Sequence, residues 1–323
     1  MTGLLSSELL RLRSRAAVMA LLGGALIVVV ALMTGQFLTH EDDYIAAQKN
    51  FRTERAALYE GELAAFQNTL NGIGPGQLSP NARIVSREDY VDGVEFFGGR
   101  TAVQSKRFDT RVQMVEMAKV TSTILAFASF LAGATFAGAD WATRALHGLL
   151  SWESRRVRVL LAKICVVSAA AAVMVLLGQA LAHGGGFLAG VFRGTTDGVG
   201  PEWWLTQGGA ALRGAVLAAF TGALGFVLAF AARSTGFALG LAFLYLGVVE
   251  SLLSVWKPSL EPYTLRGASS ALLDGGHTIT LLPVDSQPVA LVVTLAAAAV
   301  TLAVYLAAPL AATVVTFTRR DVL

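Results

Sequence analysis

The chain has 323 residues, of which 54% are hydrophobic and 15% are charged, and its mean hydropathy is +0.60. A soluble domain carries about 25% charged residues, so this composition excludes an ordinary soluble protein and indicates a chain built for lipid. The formal net charge of +3 is too small to indicate a nucleic-acid-binding protein.

Six stretches are apolar over the length of about 20 residues that a helix needs to cross the hydrocarbon core of a bilayer. They predict spans at residues 16–38, 120–139, 159–182, 208–232, 235–256 and 288–317. Glycine and alanine are dense in these spans, as in Gly222-Ala-Leu-Gly225 and from Gly236 to Gly240, which favours close helix packing. The sequence therefore predicts an all-α membrane protein with six transmembrane helices.

Positively charged residues are concentrated on one predicted side of the membrane. The short loops of that side hold Arg11, Arg13, Arg15, Arg144, Arg155, Arg156, Arg158, Lys163, Arg233, Arg319 and Arg320. The short loops of the other side hold only Arg193, Lys257 and Arg266. Because cytoplasmic loops carry the excess of Lys and Arg, this pattern predicts that the first side, with both termini, is cytoplasmic.

The segments outside the spans differ in character. They flank or connect the spans, of which the first is at residues 16–38 and spans two to six lie within residues 120–323. Residues 1–15 combine leucine and arginine and are predicted to lie as an amphipathic segment along the inner membrane surface. Residues 257–287 are a polar outer connection, whose apolar inner part, 267–273, is expected to dip back toward the membrane.

Residues 39–119 are predicted to be an extracytoplasmic, partly helical insertion between helices 1 and 2. Apolar residues recur at helical spacing from 43 to 70, which predicts a helix. Gly72-Ile-Gly-Pro-Gly76 is expected to end it, and residues 108–119 are expected to lead as a helix into the second span.

No pattern of catalytic or metal-binding residues is visible. The four histidines, His40, His147, His183 and His277, have no His or Cys partner at the spacing of zinc ligands. No Gly-x-Ser-x-Gly elbow occurs, and no Lys follows a Gly, which excludes a Walker A loop. The sequence therefore predicts no catalytic, metal or cofactor site on this chain.

Charged residues inside spans are costly in lipid and are the remaining candidates for function. Arg213 near the start of the fourth span and Glu250 near the end of the fifth both fall toward the predicted outer leaflet. We expect a structural ion pair between them, and the alternative is a gate or substrate contact.

The segment between spans two and three is the richest in candidate contacts. Leu146, Leu149 and Leu150 recur on one helical face, and Trp152 and an arginine cluster follow. On its own the segment is typical of an anchor at the membrane interface, with its positive charges on the cytoplasmic side. The alternative is a docking helix for a cytoplasmic partner, since Trp and Arg are frequent hot-spot residues.

Stretches in and around this segment carry a family resemblance. They are Gly133-Ala-Thr-Phe-Ala-Gly-Ala-Asp-Trp141, Leu149-Leu-Ser-Trp-Glu-Ser-Arg-Arg-Val-Arg158, Ala162-Lys163, Leu212-Arg213-Gly214, Gly225-Phe-Val-Leu-Ala229, Arg233-Ser-Thr235, Val249-Glu250 and Phe317-Thr-Arg-Arg-Asp321. In this order they resemble permease subunits of ABC-2 type transporters, of the subgroup common in actinobacteria. The resemblance covers nearly everything from Ala118 to the end and leaves residues 39–119 without a matching motif.

The resemblance implies six transmembrane helices in the ABC-2, type V exporter-like arrangement. It implies a multi-pass permease of the bacterial plasma membrane that pairs with a second copy or a homologous permease and docks onto a separate ABC ATPase. ATP and Mg²⁺ would bind that ATPase, and no cofactor would bind this chain. The implied activity is ATP-driven export, and the Ala, Leu, Val and Gly of the spans suit an apolar or amphipathic substrate.

In this family the helix after the second span is the coupling helix, which corresponds to residues 140–156. The implied ATPase-coupling residues are Asp140, Trp141, Arg144, Leu149, Trp152, Glu153, Arg155 and Arg156, with Arg233 as a second, minor contact. Family members typically have Glu where Asp140 stands and Gly-Thr where Arg144 and Ala145 stand. Residues 257–287 would correspond to a re-entrant region that closes the outer end of the pathway.

Three other classes of protein compete with this interpretation. A structural or sensory membrane subunit, whose outer domain binds a partner protein, is the main alternative because residues 39–119 form a large insertion. An ion-coupled transporter is disfavoured because no internal repeat and no midplane carboxylate is visible. An intramembrane enzyme is disfavoured because paired acids, metal ligands and a nucleophile with its base are missing.

Overall fold

The protein is represented by a computed structural model, which describes residues 2–72, 108–143, 145, 148, 151, 155–281 and 289–319. These residues are mainly helical, and six of the helices are long and apolar enough to cross a membrane. Those helices are Ala16–Gly35, Thr110–Ala142, Arg156–Phe192, Pro201–Ala232, Thr235–Trp256 and Leu295–Arg319. They occur in the order of the six predicted spans, which confirms the multi-pass helical organisation.

The chain forms two compact units. The larger unit comprises Met1–Ala31, Met114–Gly184 and Val199–Leu323, and it contains all the candidate residues that the structure describes. The smaller unit comprises Leu32–Gln113 and Gly185–Gly198. Within the smaller unit, strand β1 (Phe108–Asp109) pairs in parallel with β2 (Gly194–Thr195).

Helix α1 spans Thr2–Ser14, and α2 runs without a break from Ala16–Gly72 over 57 residues. The predicted first span and the predicted helix at 43–70 are therefore parts of one continuous helix. No proline occurs before Pro75, and residues 39–42, which join the two stretches and include two acids, are compatible with a helix. At 1.5 Å per residue α2 is about 86 Å long, well beyond the roughly 30 Å of a hydrocarbon core.

The next three helices are longer than the predicted spans. They are α3 (Thr110–Ala142), α4 (Arg156–Arg193) and α5 (Pro201–Ala232). Helix α5 begins where Pro201 follows the extended Gly200, because proline lacks the N–H that the first helical turn leaves unused. It ends at Arg233, whose left-handed backbone (φ 56°) terminates the helix.

Helices α3 and α5 approach each other closely through glycine. A Cβ on Gly133 would overlap the carbonyl oxygen of Gly222, and a Cβ on Gly225 would overlap that of Phe130. The glycines thus allow backbone contact that any larger residue would prevent, which confirms the packing role predicted for Gly222 and Gly225. A Cβ on Gly240 would meet no atom within 4 Å in the described part of the chain, so no close packing occurs there.

We expect Gly225→Ala to lower the free energy of unfolding by about 1–3 kcal/mol, because the added methyl forces α3 and α5 apart. Gly240→Ala is the matched control, since its Cβ would enter open space. It is expected to be neutral or slightly stabilising. Thermal unfolding of both variants in detergent checks this, and equal melting midpoints would contradict a tight α3–α5 contact.

The fifth span is composite. It consists of α6 (Thr235–Phe243), a π-helical turn (Leu244–Val249) and α7 (Glu250–Trp256), and its outer limits agree with the prediction. A 3₁₀ turn (Pro258–Tyr263) follows, and then α8 (Leu265–Asp274), which buries one face that includes Ala268 and Leu272. The apolar inner part of the outer connection is therefore a short helix packed on α5 and the last span.

The last span begins later than predicted. Residues Val289–Val293 form strand β4, which pairs antiparallel with β3 (His277–Leu281), and α9 covers Leu295–Arg319. The apolar pattern of 288–294 is equally suited to a strand because it is rich in valine, whose branched side chain favours β-structure. The predicted start of this span at residue 288 is thus wrong by seven residues.

Candidate functional site

Asp140 lies near the end of α3, is 1% exposed, and forms a cluster with three other charged side chains. The Nζ of Lys163 lies 2.9 Å from Oδ2 of Asp140 and 2.6 Å from Oε2 of Glu8. The guanidinium of Arg15 forms an ion pair with Oδ1 of Asp140 and donates a hydrogen bond of 2.7 Å to the carbonyl oxygen of Phe136. Two carboxylates thus meet two cations, and the buried charge is balanced.

The members of this charge cluster lie in or beside four different helices. Glu8 lies on α1, Arg15 immediately precedes α2, Asp140 lies on α3 and Lys163 on α4. Both cations contact the ring of Phe136, whose centroid lies 4.8 Å from Cζ of Arg15 and 5.2 Å from Nζ of Lys163. Buried charges are stable only when they are paired, so the cluster holds these four helix ends together.

The charge cluster also explains how α1 is held. Glu8 is 0% exposed and Leu12 packs in the core, whereas Leu9 and Leu10 are exposed. Helix α1 is therefore docked by a buried acid on one face and presents leucine on another. Arg11 adds a further contact, with its guanidinium 3.2 Å from Oε1 of Glu8.

Trp141 and Arg233 form a second cluster beside the first. The Cζ of Arg233 lies 4.5 Å from the ring centroid of Trp141, and the same ring packs against Phe230 at 5.3 Å. The hydroxyl of Thr235 donates a hydrogen bond of 3.3 Å to the carbonyl oxygen of Ala134. A cation–π contact and a hydrogen bond therefore hold the turn at 233–235 against the C-terminal part of α3.

The remaining predicted coupling residues divide into two groups. Arg156, the first residue of α4, donates a hydrogen bond of 3.0 Å to the carbonyl oxygen of Phe317, whose ring centroid lies 6.0 Å from its Cζ. Arg155 precedes it and is exposed. Four predicted residues lie outside the described part of the chain, namely Arg144, Leu149, Trp152 and Glu153.

Arg213 and Glu250 bind opposite ends of α8, so the predicted ion pair between them is wrong. Glu250 is 2% exposed, and its Oε1 accepts a hydrogen bond of 2.5 Å from the amide of Leu265, at the first turn of α8. Arg213 donates from Nε to the carbonyl oxygen of Leu273, at the last turn (3.3 Å). A helix has a positive N-terminus and a negative C-terminus, so each charge complements the end that it contacts.

Sequence reasoning did not connect Glu8, Arg15 and Lys163 with Asp140. The sequence does contain an indication that two of them, Glu8 and Lys163, have charged partners. Glu8 is the one acid among residues 1–15, and Lys163 is the one charge in the apolar stretch 159–182. A lone charge in an apolar segment implies a partner, and both fell on the same predicted side of the membrane as Asp140.

Comparison with other proteins adds no identification. No protein-family model, curated protein or solved structure matches this chain.

Proposed function

We propose that the chain is the membrane-spanning permease subunit of an ATP-driven ABC-2 type exporter. In this proposal it adopts the type V exporter-like arrangement with both termini in the cytoplasm, and it transports an apolar or amphipathic substrate out of the cell. It has no ATPase site and works with a separate ABC ATPase, which binds ATP and Mg²⁺, and with a second permease copy or a homologous permease.

The contact between Arg233 and Trp141 carries this proposal. The resemblance assigns these residues to two separate ATPase contacts, one after the second span and one at the turn after the fourth. Because Arg233 and Trp141 are in cation–π contact at 4.5 Å, the two proposed ATPase contacts form one continuous surface, and a single partner binds both. Trp and Arg are residues that frequently dominate the binding energy of an interface.

The charge cluster around Asp140 gives such a surface a mechanical connection to the spans. A partner that moved the segment after α3 would act on Asp140, which is bound to Arg15 and Lys163 and through Lys163 to Glu8. A displacement at this point would be transmitted to the ends of α1, α2 and α4. Closure of an ATPase pair can shift the spans only if its contacts with the permease are stronger in one arrangement of the spans than in the other.

The test is to purify the tagged chain from its native membrane, identify the proteins that accompany it and measure ATP hydrolysis. We expect an ATPase with a Walker A loop. We expect Arg233→Ala and the double variant Arg155→Ala/Arg156→Ala to bind it about thirtyfold more weakly, because interface arginines contribute about 2 kcal/mol or more when they are hot spots. Arg111→Ala, an exposed arginine at the start of α3, is the matched control.

Each variant is compared with the wild type by size-exclusion profile and melting midpoint, so that loss of ATPase is separated from loss of folding. Recovery of the chain without any ATPase would contradict the proposal. Equal ATPase recovery by Arg233→Ala, by the double variant and by Arg111→Ala would exclude this surface as the docking site.

The length of α2 favours a second candidate, a structural or sensory subunit with an extracytoplasmic partner. The helix continues to Gly72, more than 30 residues beyond the predicted end of the first span. Co-purification distinguishes the two candidates, because this one requires a partner protein without ATPase activity.

A further inference from the structure

A cavity of about 270 Å³ lies among α3, α4, α5 and the C-terminal end of α8. Its walls include Lys119 and Ser122 of α3, Gln179 of α4, and Gln207 and Arg213 of α5. Pockets for drug-sized ligands usually measure about 300–1,000 Å³, so this cavity suits a group the size of a lipid headgroup. The proposed ATPase contacts do not line it.

Two buried glutamines line the cavity, and the side-chain oxygen of each has no partner in the described part of the chain. Gln179 is 2% exposed, and its Nε2 donates to the carbonyl oxygen of Ala118 (2.7 Å) and to the hydroxyl of Ser122 (2.6 Å). These two bonds fix the amide orientation and leave Oε1 unpaired. Oε1 of Gln207, which is 5% exposed, is unpaired as well.

Unpaired buried acceptors indicate that the cavity is built for a group that donates hydrogen bonds. A buried acceptor without a donor is unfavourable by about 1–3 kcal/mol, and most buried polar atoms in proteins have a partner. A carbonyl oxygen accepts but cannot donate. The matching ligand group is therefore a hydroxyl or an amine.

The charges in the cavity favour an anion. The Nζ of Lys119 lies 2.9 Å from Asp274 and 3.6 Å from Glu116, so this lysine is neutralised within the chain. Arg213 donates from Nε to the carbonyl oxygen of Leu273 and forms no ion pair with any carboxylate among the described residues. Its terminal guanidinium nitrogens are thus available for the two-point binding of a phosphate.

We propose that this cavity binds a phosphate ester with free hydroxyl groups, as in a glycerophosphate or the phosphoglycerol headgroup of an anionic lipid. Arg213 binds the phosphate, and the hydroxyls donate to Oε1 of Gln179 and of Gln207. The carboxylate of Asp274, which also lines the cavity, is neutralised by its ion pair with Lys119. The site does not depend on the proposed transport function, because its ligand and residues are distinct from the ATPase surface.

The experiment uses the full chain, purified in neutral detergent and stripped of lipid. Short-chain phosphatidylglycerol, short-chain phosphatidylcholine and glycerol 3-phosphate are titrated, and binding is followed by native mass spectrometry and by the melting midpoint. We expect saturable binding of phosphatidylglycerol and none of phosphatidylcholine, which has the phosphate but no free hydroxyl. Binding of glycerol 3-phosphate as well would identify the headgroup alone as the ligand, and its failure to bind would identify the lipid.

Two variants and a control locate the binding. Arg213→Gln is expected to weaken phosphatidylglycerol binding about tenfold, and Gln207→Leu about fivefold, since one removes a charged donor and the other an acceptor. Arg266→Gln, which removes an exposed arginine at the opposite end of α8, is expected to bind as the wild type does.

Equal binding of phosphatidylglycerol and phosphatidylcholine would overturn the proposal, as would binding of neither phosphatidylglycerol nor glycerol 3-phosphate. If Arg213→Gln does not fold, Gln207→Leu decides: wild-type affinity in that variant would show that the cavity is not the site.

Discussion

Lys163→Met is expected to lower the free energy of unfolding by about 3–5 kcal/mol, the largest effect that we predict for a single side chain. The substitution keeps an unbranched chain of similar length and removes only the charge. It leaves Glu8 and Asp140 buried, and among the described residues Arg15 is then the cation that still contacts Asp140. Removing one partner of a buried pair is costly because the other charge is left uncompensated.

The melting midpoint in detergent and the fraction of monodisperse protein measure this effect. Lys257→Met is the matched control, because Lys257 is exposed at the end of α7. Its substitution is expected to change stability by less than about 0.5 kcal/mol. If Lys163→Met melts together with Lys257→Met, the charge cluster does not stabilise the fold.

A compensating variant separates charge balance from packing. Glu8→Gln removes one carboxylate, and the double variant Glu8→Gln/Lys163→Met leaves Arg15 and Asp140 as a balanced pair. The double variant is therefore expected to be more stable than Lys163→Met alone. Coupling energies between residues in contact are about 0.5–3 kcal/mol, so the cycle should resolve the difference. Additive losses would contradict the electrostatic explanation.

The spans could be predicted from the sequence because lipid imposes a simple requirement of length and apolarity. The fifth span agrees with the prediction at both ends, although a π-helical turn interrupts it. The prediction of a helix over residues 289–293 is wrong, because hydropathy does not distinguish an apolar strand from a helix end. Strand β4 is specified by its pairing with β3, which is a property of two segments rather than of one.

The candidate site could be predicted only in part, for a similar reason. Asp140 and Lys163 stood out as residues, but their contact joins α3 and α4, and Glu8 contributes from more than 150 positions away. The helical pattern within any one segment contains no information on such distances. The wrong pairing of Arg213 with Glu250 has the same origin, since opposite charges at similar predicted depth do not reveal the helix that lies between them.

Glu250→Ala is expected to lower the free energy of unfolding by about 2–4 kcal/mol. Its carboxylate accepts from the amides of Leu265 (2.5 Å) and Arg266 (3.2 Å), while the side chain of the preceding Thr264 accepts from Gly267. The first four amides of a helix have no partner within it. Alanine would leave two of them without an acceptor, each unfavourable by about 1–3 kcal/mol when buried.

Hydrogen exchange over residues 264–274, together with the melting midpoint, measures this effect. We expect faster exchange of the Leu265 and Arg266 amides in Glu250→Ala, and a smaller change in Glu250→Gln, which keeps one acceptor oxygen. Glu202→Ala is the matched control, because Glu202 is an exposed acid in the first turn of α5. Unchanged protection of the two amides in Glu250→Ala would exclude the capping role.

A double variant distinguishes capping from a direct ion pair or a gate. If Glu250 and Arg213 acted on each other, the loss in Glu250→Gln/Arg213→Gln would differ from the sum of the two single losses by about 0.5–3 kcal/mol. Helix α8 has 10 residues, which separates its ends by about 15 Å. Groups more than 7–10 Å apart with no shared partner usually add within about 0.5 kcal/mol. Additive losses are therefore expected, because each charge stabilises its own end of the same helix.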